Sequence, residues 1–216
     1  MGGAINSMRC PCEPRQQIPS GSGALGGSSD NLAVRTSLSH PLRIDELRIH
    51  GVAGLIGITF CPGKCGESFD GFKWERNLEK DLNVIADWRA DAVLTLIEDH
   101  EFEMLGVHLL GEQVRARGID WHHLPIKDVT PPDARFEEGW KKSGPELRSI
   151  LRRGGRVLVH CRGGLGRAGT VAARLLIEFD IEPKNAVELV RRARAGAIET
   201  HEQMQYVLNL RRSQNR

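Results

Sequence analysis

Arg156-Val157-Leu158-Val159-His160-Cys161-Arg162-Gly163-Gly164-Leu165-Gly166-Arg167-Ala168-Gly169-Thr170 decides how this 216-residue chain is read. Val157-Leu158-Val159 predicts a fully buried strand, and Val171, Ala172, Leu175, Leu176 and Phe179 fall on one helical stripe. Between them lie Gly163, Gly164 and Gly166, which take positive φ freely and let backbone approach a ligand closely. A glycine-rich loop ending at a helix N-terminus aims several N–H groups at one point and makes an anion site. Arg167 adds a planar fork of donors that matches two phosphate oxygens. Cys161, at the mouth, shares that positive field, which favours thiolate over thiol. The spacing is selective within the chain. Six places beyond Cys10, Cys12, Cys61 and Cys65 stand Gln16, Ile18, Glu67 and Gly71, so Cys161 alone has an arginine there. The competing reading, an inert buried cysteine in a tight strand-to-helix turn, uses the same residues, but the order of strand, loop and helix favours the anion site.

His160-Cys161-Arg162-Gly163-Gly164-Leu165-Gly166-Arg167 resembles the signature loop of cysteine-dependent protein tyrosine and dual-specificity phosphatases. Cys61-Pro62-Gly63, Leu124-Pro125-Ile126-Lys127-Asp128 with Pro132-Asp133, and Gly196-Ala197-Ile198-Glu199-Thr200 resemble its kinase-associated branch, over about residues 42–210. The resemblance implies a two-step phosphomonoester hydrolysis through a phosphocysteine, with no metal and no cofactor. Arg162, Gly163, Gly164, Leu165, Gly166 and Arg167 would cradle the phosphate and Cys161 would attack it. A leaving oxygen needs a proton, and Asp128, in a loop stiffened by Pro131 and Pro132, matches the family's acid. A turn aspartate bonding its own backbone explains Asp128 as well. Asp133, which can cap the following helix, is the second candidate and Asp99 the third. His160 is expected to orient the loop and to hold the thiolate form, as its family counterpart does. Gln203 occupies the place where some members carry a glutamine near the hydrolytic water, yet Thr200-His201-Glu202-Gln203 is also a capping box.

One departure matters. The family places Ser or Thr after the signature arginine, and here the residue is Ala168. Losing a hydroxyl that stabilises the departing sulfur costs about 1.5–3 kcal/mol, roughly ten- to a hundredfold in the second step. Thr170 is not an obvious substitute. Relatives acting on phosphorylated glucans also carry alanine there, so a phosphoglucan or phosphosugar substrate stands beside the phosphoprotein. A weakly active or non-catalytic phospho-binding module and a rhodanese-type sulfurtransferase remain as alternatives. Only Arg162 is charged among the variable loop positions, which disfavours an inositol lipid. His122 and His123 beside Trp121 either line the cleft or alternate in burial along a strand.

Forty per cent apolar and 27 per cent charged residues fit a globular domain, and a net charge of +2 argues for neither nucleic acid nor a membrane surface. The longest apolar stretch, near Ala53 to Cys61, is too short to span a bilayer. The N-terminus lacks the continuous apolar segment of a secretory signal. Five cysteines fit a reducing compartment, and the expected location is cytoplasmic. Residues 1–41 read as a disordered Gly/Ser-rich tail and residues 42–213 as one phosphatase domain. Metal binding by Cys10, Cys12, Cys61 and Cys65 is disfavoured, because no matching Cys/His pair stands at zinc spacing.

Along the domain, Leu47–Val52, Leu55–Phe60, Ala92–Ile97 and Ile119–Ile126 predict strands. Helical spacing runs between Trp74 and Arg89, through a short turn at Glu101–Leu105, from Leu109 to Arg117, and from Pro183 toward Gly196. Residues 66–71 read as a loop. Gly144-Pro145 is expected to kink or divide the helix carrying Phe136, Trp140 and Leu147. Alternating strands and helices predict an α/β fold with a mainly parallel central sheet flanked by helices. Its ligand site should lie beyond the carboxyl ends of the strands.

Overall fold

A computed structural model describes residues 33–68 and 71–210 of the chain. Strands β1 (Ala33–Thr36), β2 (Asp45–Arg48), β3 (Leu55–Phe60), β4 (Cys65–Glu67) and β5 (Phe72–Glu75) precede helix α1 (Leu78–Asp87). Then follow β6 (Ala92–Thr95), α2 (Asp99–Met104), α3 (Leu110–Ala116), β7 (Asp120–His123) and α4 (Ala134–Arg152). The chain continues with β8 (Arg156–Cys161), α5 (Gly166–Glu178), α6 (Pro183–Ala193) and α7 (His201–Asn209).

The central sheet has the order β2-β3-β8-β6-β7; β2 is antiparallel to β3 and the remaining neighbours are parallel. The expected mainly parallel sheet is present. Val157, Leu158 and Val159 of β8 are fully buried, as a strand covered on both faces requires. One face packs on α4 through α7, with Phe136, Trp140, Leu147, Val171, Leu175 and Val190 in the core. The other packs on α1 and α3 through Leu82, Ile85, Leu110 and Val114. Strand β3 runs in register with β8 from Leu55 opposite Arg156 to Phe60 opposite Cys161. That register lays the turn after β3 against the signature loop.

A second, three-stranded sheet of order β1-β5-β4 was not expected. Strand β1 pairs with β5 inside the stretch read as tail, so the folded part reaches back to residue 33. Residues 1–32, with Cys10 and Cys12, lie outside the described residues. Trp74 belongs to β5, and α1 begins four residues later, where the Asn77 side chain accepts from Lys80 N–H at 2.9 Å. The helical spacing of Trp74 was therefore coincidental. The loop read at residues 66–71 opens inside β4, and the first core strand runs over Asp45–Arg48 instead of Leu47–Val52.

Helix α4 is not divided at Pro145. Gly144 leaves room for the Trp140 indole, since a Cβ there would lie 2.6 Å from its Nε1. That indole donates to Glu178 of α5 at 2.8 Å and ties the helix to the core across the proline. Gly106 and Gly118, both at positive φ, follow α2 and α3 as expected.

Candidate active site

Strand β8 ends at Cys161, which is 3% exposed, and the chain turns through the glycine loop into α5. The turn forces the backbone at Gly164, with φ of +72°. A Cβ there would stand 2.4 Å from Thr59 O of β3, so only glycine fits. The Gly164 N–H donates to Cys161 Sγ at 3.2 Å. Two cations hold loop carbonyls from outside: Lys64 Nζ donates to Arg162 O at 3.2 Å and Arg194 Nη2 to Gly163 O at 3.1 Å. Arg194 is itself anchored on Asp45 at 2.7 Å. These contacts fix the Arg162 and Gly163 carbonyls, and with them the orientation of the peptides that follow.

Arg167 is 1% exposed and its guanidinium is held on three sides. Glu101 of α2 takes Nη1 at 2.5 Å and Nη2 at 2.9 Å, and Ile126 O accepts from Nη1 at 3.2 Å. Asp128 Oδ1 lies 2.9 Å from Nη2. Nε is buried without an acceptor among the described residues. Burial works against the Arg167 charge, but the Glu101 carboxylate more than offsets it and holds the guanidinium protonated. In return, although burial opposes its charge, Glu101 is held below the usual carboxylate range by Arg167. Sequence reasoning took Glu101 for part of a helical turn, and no local pattern in the chain links it to Arg167, 66 residues on.

Asp128 is half exposed, and its backbone N–H is held by Glu98 at 3.2 Å. Its carboxylate also accepts from Val129 N–H at 3.0 Å. Val129 has φ of +56°, a strained conformation for a β-branched residue, and its side chain is 61% exposed. Asp133 caps α4, accepting from Phe136 N–H at 2.9 Å, and Asp99 opens α2. Both candidates are accounted for by those roles, and neither lines the cleft that holds Cys161.

His160 is fully buried, and its Nε2 meets Thr95 Oγ1 at 2.8 Å. Thr95 Oγ1 also accepts from Trp121 Nε1, and His160 Nδ1 is buried without a hydrogen-bond partner among the described residues. Burial pushes this histidine down to about 3. It orients the strand end as a neutral ring and supplies no positive charge to the thiolate. His122 bonds Ser143 and His123 bonds Ile97 O, so the pair packs beside the sheet edge away from the cleft.

Gln203 is fully buried and forms the α7 capping box with Thr200, as one of its two readings held. Its Nε2 additionally donates to Thr130 O at 3.1 Å, which ties the loop of Asp128 to the C-terminal helix. Gln203 also packs on Gly166, where a Cβ would stand 2.8 Å from its Oε1. Glu199 accepts from Gly166 N–H at 2.7 Å. Thr170 Oγ1 bonds back to Gly166 O at 2.8 Å, so it does not replace the hydroxyl missing at Ala168.

The loop opens on a cleft of about 570 Å³ whose walls include Cys161, Arg162, Asp128, Lys64, Phe60 and Trp74. Among the described residues no group of three or more His, Cys, Asp or Glu is placed to hold a metal ion, and no helix is long and apolar enough to cross a membrane.

A family model described as "PTP-SAK: Swiss Army Knife protein, DSP-PTPase phosphatase domain" matches residues 75–207. Cyclin-dependent kinase inhibitor 3 of Rattus norvegicus is 33% identical over 139 residues, 63% of this chain and 64% of the relative. The chain thus matches just under two thirds of that relative's length. A solved kinase associated phosphatase, its catalytic-site cysteine replaced by serine, superposes with a TM-score of 0.66 at 28% identity. The superposition covers 77% of this chain and 92% of that one. Tk-PTP in its active form gives 0.56 at 31% identity over 76% and 93% of the two chains. The chain belongs to the cysteine-dependent dual-specificity and protein tyrosine phosphatases, in the family of that DSP-PTPase domain.

Proposed function

We propose that the protein is a metal-independent phosphomonoester hydrolase acting on phosphorylated protein side chains through a phosphocysteine. The observation that carries the reading is that Cys161 and Asp128 line one cleft while the buried Arg167 pairs with Asp128 behind it. Cys161 Sγ accepts a loop N–H, Arg167 is locked by Glu101 with its Nε donor unused, and Asp128 reaches the same guanidinium from the opposite loop. The Cys161 thiolate attacks phosphorus; the bond to the substrate oxygen breaks, and Asp128 gives that oxygen its proton. Loop amides and Arg167 hold the equatorial oxygens through the transition state. Water then attacks the phosphocysteine, Asp128 takes its proton, and the thiolate leaves with inorganic phosphate released.

The family supports a phosphoprotein substrate over a phosphoglucan, and the relatives' names point to kinases as the class of partner. Hydrolysis of p-nitrophenyl phosphate with EDTA present, followed by phosphotyrosine and phosphothreonine peptides and a phosphoglucan, tests the reading. Turnover lost in Cys161→Ser and reduced in Asp128→Asn is the expected result. Peptide binding without turnover, unchanged by Ala168→Ser, would instead make it a phospho-binding module. Persulfide on Cys161 after thiosulfate, without hydrolysis, would make it a sulfurtransferase.

A further inference from the structure

Lys64 lies in the turn between β3 and β4, and the register of β3 on β8 presses that turn against the signature loop. The side chain is 7% exposed. Its Nζ lies 4.6 Å from the Phe60 ring centroid and 4.4 Å from that of Trp74, with the Arg162 carbonyl at 3.2 Å. It lines the same cleft as Cys161.

A buried ammonium needs a counter-ion, and the buried acids near this one are taken. Asp81 is held by two nitrogens of Arg76, at 2.7 and 2.8 Å, and Glu101 by Arg167. Cys61, on the same turn, is fully buried, which pushes its thiol up and keeps it neutral. His160 is a neutral ring. Glu67 and Asp128 share the cleft with Lys64 without an ion pair to its Nζ, and the Cys161 sulfur shares that cleft too.

We propose that Lys64 is a positioning residue of the site: its ammonium is the counter-ion of the Cys161 thiolate, and its bond to Arg162 O keeps that peptide turned so the loop amides face the phosphate. This rests on Cys161 being the nucleophile. Burial lowers the ammonium to about 8, opposed by Cys61 and Cys161, while Arg76 and Arg162 add to the lowering. The charged groups around the thiolate are Lys64 from the β3–β4 turn, Arg35 and Glu67 from the small sheet, Arg162 from the loop, Arg167 from α5 and Asp128 from the opposite loop, with Glu199 and Arg194 also on the cleft wall.

The test is the pH dependence of Cys161 alkylation by iodoacetamide, followed by peptide mass in the full chain, beside kcat/KM over the same range. Lys64→Met removes both the charge and the donor, and Lys64→Gln keeps a donor for Arg162 O without the charge. The alkylation midpoint should rise by about one pH unit in both variants, with kcat/KM on the acid limb falling about tenfold. In Lys64→Met the Kd for vanadate should also weaken, because Arg162 O loses its Lys64 donor and keeps the Cys61 N–H. A midpoint that stays at the wild-type value in both variants overturns the proposal, whatever happens to activity, because a merely structural lysine would leave it there. A wild-type Cys161 that titrates as an ordinary thiol near 8.5 and turns over no substrate sinks the nucleophile reading itself, and that failure is visible without either variant.

Discussion

At the scale of single residues, Ala168 and His160 carry the sharpest consequences. Ala168 is fully buried at the start of α5, and the nearest hydroxyl, on Thr170, is committed to Gly166 O. The sulfur therefore departs from phosphorus without a side-chain donor after Arg167. Stopped-flow hydrolysis should show a burst followed by a slower steady state. Ala168→Ser should speed the steady state roughly ten- to a hundredfold and leave the burst rate unchanged. His160 has the opposite kind of effect, on stability. Its folded value of about 3 lies below the ordinary 6.5, so below pH 6.5 the unfolded chain binds a proton that the folded chain refuses. Stability falls as pH drops through that window, by about 1 kcal/mol at about pH 5.5. Urea midpoints at about pH 7 and about pH 5.5 should converge in His160→Gln relative to wild type, with His122, also lowered by burial, supplying the residual slope.

Among the elements, α2 shows why a short helix matters to a loop far away in the sequence. Its Glu101 fixes the Arg167 fork from a separation of 66 residues, and both partners are almost completely buried. Glu101→Gln leaves the buried Arg167 charge with only the half-exposed Asp128 carboxylate as a charged partner. Removing one partner of such a pair costs about 3–5 kcal/mol, to be read by chemical denaturation, and vanadate affinity should fall with it. The signature strand, loop and helix were legible in the chain because their chemistry is local: Cys161, Gly163, Gly164, Gly166 and Arg167 lie within seven consecutive residues. Pro183 at the start of α6 and the Thr200–Gln203 capping box were legible for the same reason. Glu101 and Lys64 were not, because each acts across 66 or 98 residues on a group that periodicity does not connect to it. Strands β1, β4 and β5, of three or four residues each, are too short to show alternation.

On the scale of the whole molecule, the site is assembled from both ends of the folded region. Arg194, beyond α6, bridges Asp45 of β2 to the loop carbonyl of Gly163, and Gln203 of α7 grips Thr130 in the acid loop. The C-terminal helix thus steadies the loop of Asp128, the proposed proton donor, from outside the cleft. Gln203→Ala should speed hydrogen exchange around Thr130. It should also slow alkyl phosphates, whose leaving oxygen needs a proton, several-fold more than p-nitrophenyl phosphate, whose leaving group does not. Equal losses on both substrates would place Gln203 in the phosphate step instead. The small sheet contributes the remaining wall, with Trp74 of β5 standing beside Lys64 at the cleft. Indole emission responds to the charge next to the ring, and of the four tryptophans Trp74 is the one lining the cleft. The protein therefore carries its own optical gauge: vanadate entering the cleft should change the intrinsic fluorescence, and Trp74→Phe should silence that signal while binding persists.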